Sequence, residues 1–198
     1  MNRAAYDFGY NKGMVIDGSI KGIYASRNRD KHGLLAEWVA FAGDGDHLEV
    51  GTLYGASAIL AAMTKKEFDF TGHVVCVDPF VDEDIDPSIK IITPVKVSID
   101  TVLDNALTMG VNLAPYKCTF GEFPIDGREF TSAYIDGDHT YEGVKADFEK
   151  AAPHVDKVIM FDDYADPRFP GVQKFIDELK DPEWKKGIFG QFVVLVRV

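Results

Sequence analysis

The fold is indicated first by residues 47–57, which have the sequence HLEVGTLYGAS. Residues 47–51 are predicted to form a short strand, and the alanine-rich stretch 55–64 predicts a helix directly after it. Gly51 and Gly55 stand four residues apart in the turn between these elements. Glycine at such a turn lets the backbone bend sharply and approach a ligand closely. The segment is typical of the first strand-to-helix unit of an α/β sheet.

Strand-like and helix-like segments alternate along the rest of the chain. The pattern predicts helices at 33–42, 97–109, 141–152 and 171–179, and further strands at 73–77, 116–119, 132–135 and 157–161. Two apolar runs on either side of Gly190, within 187–198, predict a closing hairpin. Such alternation implies parallel β-α-β units. We therefore predict an α/β fold, Rossmann-like and doubly wound, with a mostly parallel seven-stranded sheet and a C-terminal antiparallel hairpin.

Size and charge exclude several classes of protein. The 198 residues suit one domain, which we place at 33–198, with 1–32 as an N-terminal arm or lid. The formal charge of −11 argues against a nucleic-acid partner, since phosphate surfaces need clustered lysine and arginine. No apolar run approaches the roughly 20 residues that span a bilayer, and residues 1–29 contain no apolar core of a secretion signal. We expect no membrane association and a cytoplasmic location.

Two segments are candidates for contact with a substrate or partner. Residues 1–31 hold three acidic residues but six basic ones, namely Arg3, Lys12, Lys21, Arg27, Arg29 and Lys31. This segment would serve as a lid over an anionic ligand, as an arm on a second subunit of a homodimer, or as a solvated terminus. Residues 82–96 are acidic and irregular, which predicts either a substrate-facing loop or an ordinary solvated one.

The two cysteines, Cys76 and Cys118, lie in strand-like apolar runs without the CxxC spacing of a zinc or redox site. We predict that both are buried free thiols.

Two acidic clusters follow predicted strands in the second half of the chain. Residues 134–139 read YIDGDH and residues 161–164 read FDDY. Carboxylates at the ends of neighbouring parallel strands point into one crevice, where open α/β sheets bind ligands. Crowded carboxylates repel one another, and burial raises that cost, so such a cluster usually has a cation among it or solvent around it. A hard divalent cation takes oxygen ligands of this kind.

Two acidic residues at or near the ends of the first two strands, Glu49 and Asp78, are candidate ligand contacts. The spacing of Gly51 and Gly55 is not G-x-G-x-x-G, which disfavours a pyrophosphate cradle, and Glu49 would repel phosphate. Glu49 suits an ammonium or a sulfonium instead. Asp78 closes the second strand, where an acid accepts hydrogen bonds from ribose hydroxyls. The alternative for Asp78 is a turn cap beside Pro79.

The order of these motifs resembles a known family. E-x-G-x-x-x-G-x-S, V-C-V-D, I-D-G-D-H-x-Y and F-D-D-Y are similar to the motifs of class I S-adenosylmethionine-dependent methyltransferases. The nearest branch contains small-molecule O-methyltransferases of the macrolide-sugar and cephalosporin-hydroxylase-like type. The resemblance covers roughly residues 33–198 and implies one methyltransferase domain there.

The resemblance implies specific roles for the matching residues. Glu49 and Gly51 would lie against the methionine portion of the cofactor, Asp78 would bind its ribose, and Phe120 and Glu122 would lie on its adenine side. The other candidate cofactor contacts in the same motifs are Tyr54, Gly55, Ser57 and Asp136.

The same comparison implies a metal site and a base. Asp136, Asp162 and Asp163 match the family's ligands for a divalent cation, usually magnesium. His139 matches the general base, and Asp136 could itself take part in proton removal. For His139 the alternative is a local helix cap. Asp138 is predicted to be a turn or cap residue.

The implied function is S-adenosylmethionine-dependent, magnesium-dependent O-methylation of a hydroxyl on a small-molecule acceptor, either a sugar or a phenol. Two alternatives stay open. One is a non-catalytic protein that binds the same cofactor. The other is a nicotinamide-dependent oxidoreductase, which the missing third glycine and Glu49 disfavour.

Overall fold

The computed structural model describes residues 2–22, 29–81 and 95–198. Its strands are β1 Asp46–Val50, β2 Val74–Asp78, β3 Ala114–Lys117, β4 Phe130–Ile135, β5 Val155–Phe161, β6 Trp184–Phe189 and β7 Phe192–Arg197. The helices in these ranges are α1 Arg3–Ser19, α2 Arg29–Ala42, α3 Ala56–Glu67, α4 Ile99–Thr108, α5 Tyr141–Ala151 and α6 Pro170–Glu178, with a short 3₁₀ turn at Ala152–His154.

The seven strands form one sheet in the order β3-β2-β1-β4-β5-β7-β6. Strands β1 to β5 run parallel, whereas β7 is antiparallel to β5 and to β6. This topology confirms the predicted doubly wound sheet and its antiparallel hairpin, which turns at Gly190 with a φ of 65°. The strand order reverses between β1 and β4, and a crevice at that point is where open α/β sheets bind ligands.

Both faces of the central part of the sheet are buried, which explains the apolar runs of β2, β5 and β7. One face, with Leu48 and Val50 of β1, packs against α5 and α6. The opposite face, with Cys76 and Tyr134, packs against α1, α2 and α3. Glu49 pairs in register with these two residues and so lies on that second face.

The segment 1–32 contains a packed helix that the sequence reasoning did not predict. Helix α1 crosses α2 at close range, because Gly9 and Gly13 leave room for the backbone and ring of His32. A Cβ built on Gly9 would lie 2.3 Å from the carbonyl oxygen of His32. Helix α2 therefore begins at Arg29, four residues before the predicted start, and carries Lys31 toward the sheet.

The third strand and one cysteine differ from prediction. Strand β3 spans Ala114–Lys117 instead of 116–119, because the chain turns after Lys117 and Glu122 accepts hydrogen bonds from Thr119. The prediction of a buried thiol is wrong for Cys118, which lies beyond the strand and is only half-buried, and correct for Cys76. Most of the acidic loop 82–96 lies outside the described residues, which resume at Val95.

Within the described ranges, no helix combines the length and apolar character that crossing a membrane requires.

Candidate functional site

The turns after β1 and β4 pack directly against each other at the carboxyl edge of the sheet. Asp136 donates its backbone N–H to the carbonyl of Val50 at 2.8 Å. Gly51 adopts a φ of 84°, and a Cβ built on it would lie 2.2 Å from the carbonyl oxygen of Asp136. Only glycine fits this position. The predicted cofactor turn and the first acidic cluster therefore share one crevice.

Glu49 lies at the base of this crevice as a buried carboxyl group. Among the described residues, neither of its carboxyl oxygens has a hydrogen-bond partner of normal geometry. Burial raises its pKa well above the usual value, and the nearby hydroxyls of Ser57 and Thr52 offset this only in part. An unpaired buried carboxyl group is costly, so the position suits a ligand that brings a donor or a positive charge. This arrangement fits a cofactor that carries an ammonium and a sulfonium.

Asp78 ties the glycine turn to the end of β2. Its Oδ2 atom accepts hydrogen bonds from the backbone N–H groups of Thr52 at 2.8 Å and Leu53 at 2.9 Å. Its Oδ1 atom accepts one from the N–H of Phe80 at 2.6 Å. The turn-capping role is therefore present. The ribose contact implied by the family resemblance stays a prediction, and the half-buried carboxylate retains acceptor capacity for it.

The other candidates in the first motif lie around the start of α3. Tyr54 is buried, with its hydroxyl donating to the carbonyl of Val95 at 2.7 Å. Gly55 has a φ of 89° and precedes the first residue of α3. Ser57 is half-buried in the first turn of that helix, within reach of Glu49. Tyr54 thus holds the chain at Val95, and Ser57 lies near Glu49, while their contacts with a cofactor stay predictions.

The two adenine-side candidates both make local contacts after β3. Phe120 is buried in the core, where it stacks on Phe123 with ring centroids 6.0 Å apart. Glu122 is exposed and closes a turn by accepting hydrogen bonds from the N–H and hydroxyl of Thr119, which lower its pKa. The structure gives each residue a local role, and their contact with adenine stays a prediction.

Asp136, His139 and Asp163 form a group with the donor atoms of a divalent-cation site. Each offers one ligand atom, and these three atoms lie within 4.8 Å of one another. The Nε2 atom of His139 lies 3.2 Å from Oδ1 of Asp136 and 3.3 Å from Oδ2 of Asp163. Asp163 has a φ of 59°, a left-handed conformation that costs about 1 kcal/mol or more and tends to persist at functional sites.

The charges in this group depend strongly on one another. Burial raises the pKa of Asp136 to about 6, although 30% of its side chain remains accessible to solvent. Burial alone would lower the pKa of His139, but hydrogen bonds with Asp136 and Asp163 outweigh it and raise that pKa to about 10. His139 is therefore cationic at neutral pH in this form of the site. It must lose that proton before it can act as a base, and its role as the base stays a prediction.

Asp162 faces a different set of partners. Its Oδ1 atom pairs with the ammonium of Lys31 and accepts the backbone N–H of Asp163 at 2.7 Å. Its Oδ2 atom accepts the hydroxyl of Tyr134 at 2.8 Å. Lys31 is the residue that the sequence reasoning missed here, because we had assigned it to the arm. The only signal in the sequence was the excess of basic residues before position 32.

Phe169 is a second residue that the sequence reasoning missed. Its ring stacks on the imidazole of His139 with centroids 4.1 Å apart and planes at 23°. The first turn of α6 approaches the His139 loop closely, since a Cβ on Gly171 would lie 2.7 Å from the carbonyl oxygen of His139. These contacts hold the imidazole in place. Asp138 caps its own turn by accepting the N–H of Thr140 at 2.8 Å, as predicted.

Solved structures of several methyltransferases share this fold. An O-methyltransferase from Bacillus cereus, solved in complex with SAH, is 18% identical, with a TM-score of 0.57 and coverage of 100% of this chain and 92% of that one. The O-methyltransferase TomG from Streptomyces achromogenes, solved with SAM, is 14% identical, with a TM-score of 0.54 and coverage of 100% and 91%.

A ribosomal protein L11 methylase from Lactobacillus delbrueckii subsp. bulgaricus is 17% identical, with a TM-score of 0.55 and coverage of 85% and 78%. At these identities the likeness establishes the fold, which by itself names no acceptor. No curated protein matches the sequence.

The family is assigned from the amino-acid sequence of the region that forms β1 to β5 and the crevice. A family model described as a methyltransferase domain matches residues 48–164, which is more than half of the chain and includes both acidic clusters. The chain therefore belongs to this methyltransferase family, which confirms its resemblance to the class I S-adenosylmethionine-dependent enzymes.

Proposed function

We propose that the protein transfers the methyl group of S-adenosylmethionine to a hydroxyl oxygen of a small molecule, a sugar or a phenol, with the help of a divalent cation such as magnesium. The observation that carries this proposal is the contact between two half-sites. Glu49, buried and unpaired, lies beside Gly51, and Gly51 packs on Asp136 of the Asp136–His139–Asp163 group. The cofactor complexes of the structurally similar O-methyltransferases support the choice of cofactor.

The cofactor half of the crevice would be formed by the ends of β1 and β2. Glu49 would receive the positively charged methionine end, and Asp78 would receive the ribose hydroxyls while still holding the turn at Thr52 and Leu53. Ser57 borders the same space from α3. When bound, the sulfonium supplies an electrophilic methyl group whose sulfur–carbon bond breaks as the new oxygen–carbon bond forms.

The acceptor half would be formed by the two acidic clusters. Asp136 and Asp163 would hold the cation, together with His139 or, as the family resemblance implies, Asp162. A bound divalent cation supplies positive charge that lowers the pKa of a hydroxyl group and orients it. Either His139 or Asp136 would take the hydroxyl proton, and positioning of the two reactants would supply much of the acceleration.

A direct test measures S-adenosylhomocysteine formation by mass spectrometry with a panel of sugar and phenol acceptors and magnesium. We expect turnover with at least one acceptor. We also expect the loss of most of it in Asp163→Ala, with Glu142→Ala on the exposed start of α5 as the control. If Asp163→Ala keeps full magnesium-dependent transfer, the ligand assignment is wrong. If His139→Ala leaves the rate and its pH profile unchanged, the base lies elsewhere.

A non-catalytic cofactor-binding protein is the second candidate. The observation that favours it is the pairing of Asp162 with Lys31 and the positive charge on His139, which compensate most of the cluster's charge without a metal ion. Binding of S-adenosylhomocysteine without any turnover across the acceptor panel would support this candidate. A thermal shift with NADH alone would support the oxidoreductase instead.

A further inference from the structure

Lys31 and Asp162 form a buried ion pair at the edge of the candidate cation site. The Lys31 side chain is 9% exposed and the Asp162 side chain 11%. Lys31 comes from the first turn of α2, and Asp162 directly follows β5. The pair therefore links the N-terminal helical layer to the acidic crevice.

The oxygens of Asp162 are already engaged by three donors. The Lys31 ammonium and the N–H of Asp163 share its Oδ1 atom, and the hydroxyl of buried Tyr134 donates to its Oδ2 atom. By contrast, Asp136 and Asp163 turn an oxygen toward Nε2 of His139. The three ligand atoms that lie close together thus exclude Asp162.

Lys31 also lies near the outer oxygen of Asp163. Its Nζ atom is 3.4 Å from Oδ1 of Asp163, while Oδ2 of the same carboxylate faces His139. A fixed ammonium at this distance opposes the approach of a second cation to Asp163. Breaking the buried pair would leave a charge uncompensated, so Asp162 is not free to turn toward the cation site.

We propose that Lys31 is a positioning residue that withholds Asp162 from the cation site and weakens the affinity of that site for divalent cations. The cation is then held by Asp136, Asp163 and the imidazole of His139, which must lose its proton in order to bind. This inference rests on the part of the proposed function that places a cation in the crevice, and it does not depend on which acceptor is methylated. Carboxylate oxygens are suitable ligands for manganese, so manganese is a suitable probe.

The test measures Mn²⁺ binding by electron paramagnetic resonance in the absence of cofactor and acceptor. In Lys31→Met, Asp162 loses its cation and becomes available as a ligand, so we expect binding to tighten about tenfold or more. In the double variant Lys31→Met/Asp162→Asn the extra ligand is removed again, and affinity should return to within about threefold of the wild type. Lys66→Met removes the same charge near Gly110 at the opposite edge of the sheet and should change nothing.

Four results would overturn the proposal. They are unchanged or weaker binding in Lys31→Met, tight binding retained in the double variant, a loss of affinity of about tenfold or more in the double variant, and no Mn²⁺ binding by either the wild type or Lys31→Met. If Lys31→Met does not fold, the double variant still tests whether Asp162 is already a ligand, because it replaces the buried pair by uncharged groups of similar size. A loss of affinity of about tenfold or more in the double variant would show that Asp162 is already a ligand. Methyl transfer is assayed separately, so its absence would count against the proposed function and not against this inference.

Discussion

At the scale of single residues, two buried carboxyl groups in one crevice have opposite surroundings. Asp162 has three donors, including the cation of Lys31. Glu49 has no partner of normal geometry among the described residues, and burial raises its pKa. A buried carboxyl group is either paired or neutral, because an isolated charge in a low-dielectric interior is too costly. The charge of Asp162 is therefore compensated within the protein, whereas the contact of Glu49 with a ligand stays a prediction.

Replacing Glu49 with glutamine should weaken cofactor binding and reduce the loss of thermal stability at rising pH. A carboxyl group with a raised pKa in the folded state contributes stability that is present below its unfolded pKa and is lost as pH rises toward the folded value. From about pH 5 to about pH 8, the melting temperature of wild type should therefore fall more than that of Glu49→Gln. Titration calorimetry should show S-adenosylhomocysteine binding weakened about tenfold or more. Glu67→Gln, on the exposed end of α3, should change neither the pH dependence of the melting temperature nor the affinity for S-adenosylhomocysteine. Equal affinity of Glu49→Gln and Glu67→Gln for S-adenosylhomocysteine would contradict the role of Glu49.

The imidazole of His139 should remain protonated through neutral pH in the metal-free protein. Asp136 and Asp163 raise its pKa to about 10, so its ion pairs stabilise the protein below pH 6.5, and this contribution is lost as pH rises through that higher value. In Asp163→Asn we expect the pKa of His139 to fall back toward its ordinary value, because one of its two partners is neutralised. Nuclear magnetic resonance titration of the histidine side chains measures this. Asp138→Asn, which alters only the neighbouring turn, is the control, and a His139 that titrates near 6.5 in wild type would contradict the geometry.

At the scale of elements, the crossing of α1 and α2 determines where Lys31 lies. Helix α1 was not predicted, because the glycines and basic residues of this segment favoured an arm or lid. It is held by the fit of Gly9 and Gly13 against His32, and of Gly33 against the ring of Tyr6. The close approach fixes α2 on the sheet and directs Lys31 at Asp162. The N-terminal segment therefore reaches the acidic crevice through a packed helix.

Substitution of Gly9 by alanine should destabilise the protein through this crossing. The added Cβ would meet the carbonyl oxygen of His32 and the Cβ of Ala36, and overpacking of this kind costs about 1 to 3 kcal/mol. Gly18→Ala in the same helix meets nothing within 4 Å among the described residues and should add about 0.5 to 1 kcal/mol through helix propensity. Urea unfolding monitored by circular dichroism compares the two. Equal stability of both variants would show that the crossing is not tight in solution.

At the scale of the whole molecule, both half-sites lie at one edge of a single sheet, where the strand order reverses between β1 and β4. The turn at Gly51 packs on Asp136, so the cofactor half and the acidic half cannot separate without breaking the sheet. A ligand that binds only this folded edge must stabilise the entire domain by mass action.

S-adenosylhomocysteine should therefore raise the melting temperature of the protein. At about 100 times its dissociation constant it should contribute about 2.7 kcal/mol. That corresponds to a rise of about 5 to 10 °C for a chain of this length. Differential scanning calorimetry measures the shift, and NADH at the same concentration should produce none. A shift with NADH and none with S-adenosylhomocysteine would overturn the choice of cofactor.

Much of the fold could be predicted because its signals are local. The alternation of apolar strands and helices, the glycines of the first turn, and the acidic residues at strand ends depend on backbone geometry over short stretches. The same local signals predicted the capping of the turn by Asp138 and the hairpin at Gly190. They failed at Cys118, because the strand ends before this residue. The chain then enters a turn in which Glu122 accepts hydrogen bonds from Thr119.

The sequence by itself determined the parallel sheet, the position of its crevice and the residues at the strand ends. These features follow from the alternation of strands and helices along the chain, which does not depend on how distant side chains pack. Only the tertiary structure decided which charges meet. Lys31 and Asp163 are 132 positions apart, and their approach depends on how α1 packs on α2 and how α2 packs on the sheet. The pairing of Asp162, the protonation of His139 and the unpaired state of Glu49 all follow from such long-range packing, because burial and neighbouring charge are properties of the assembled core.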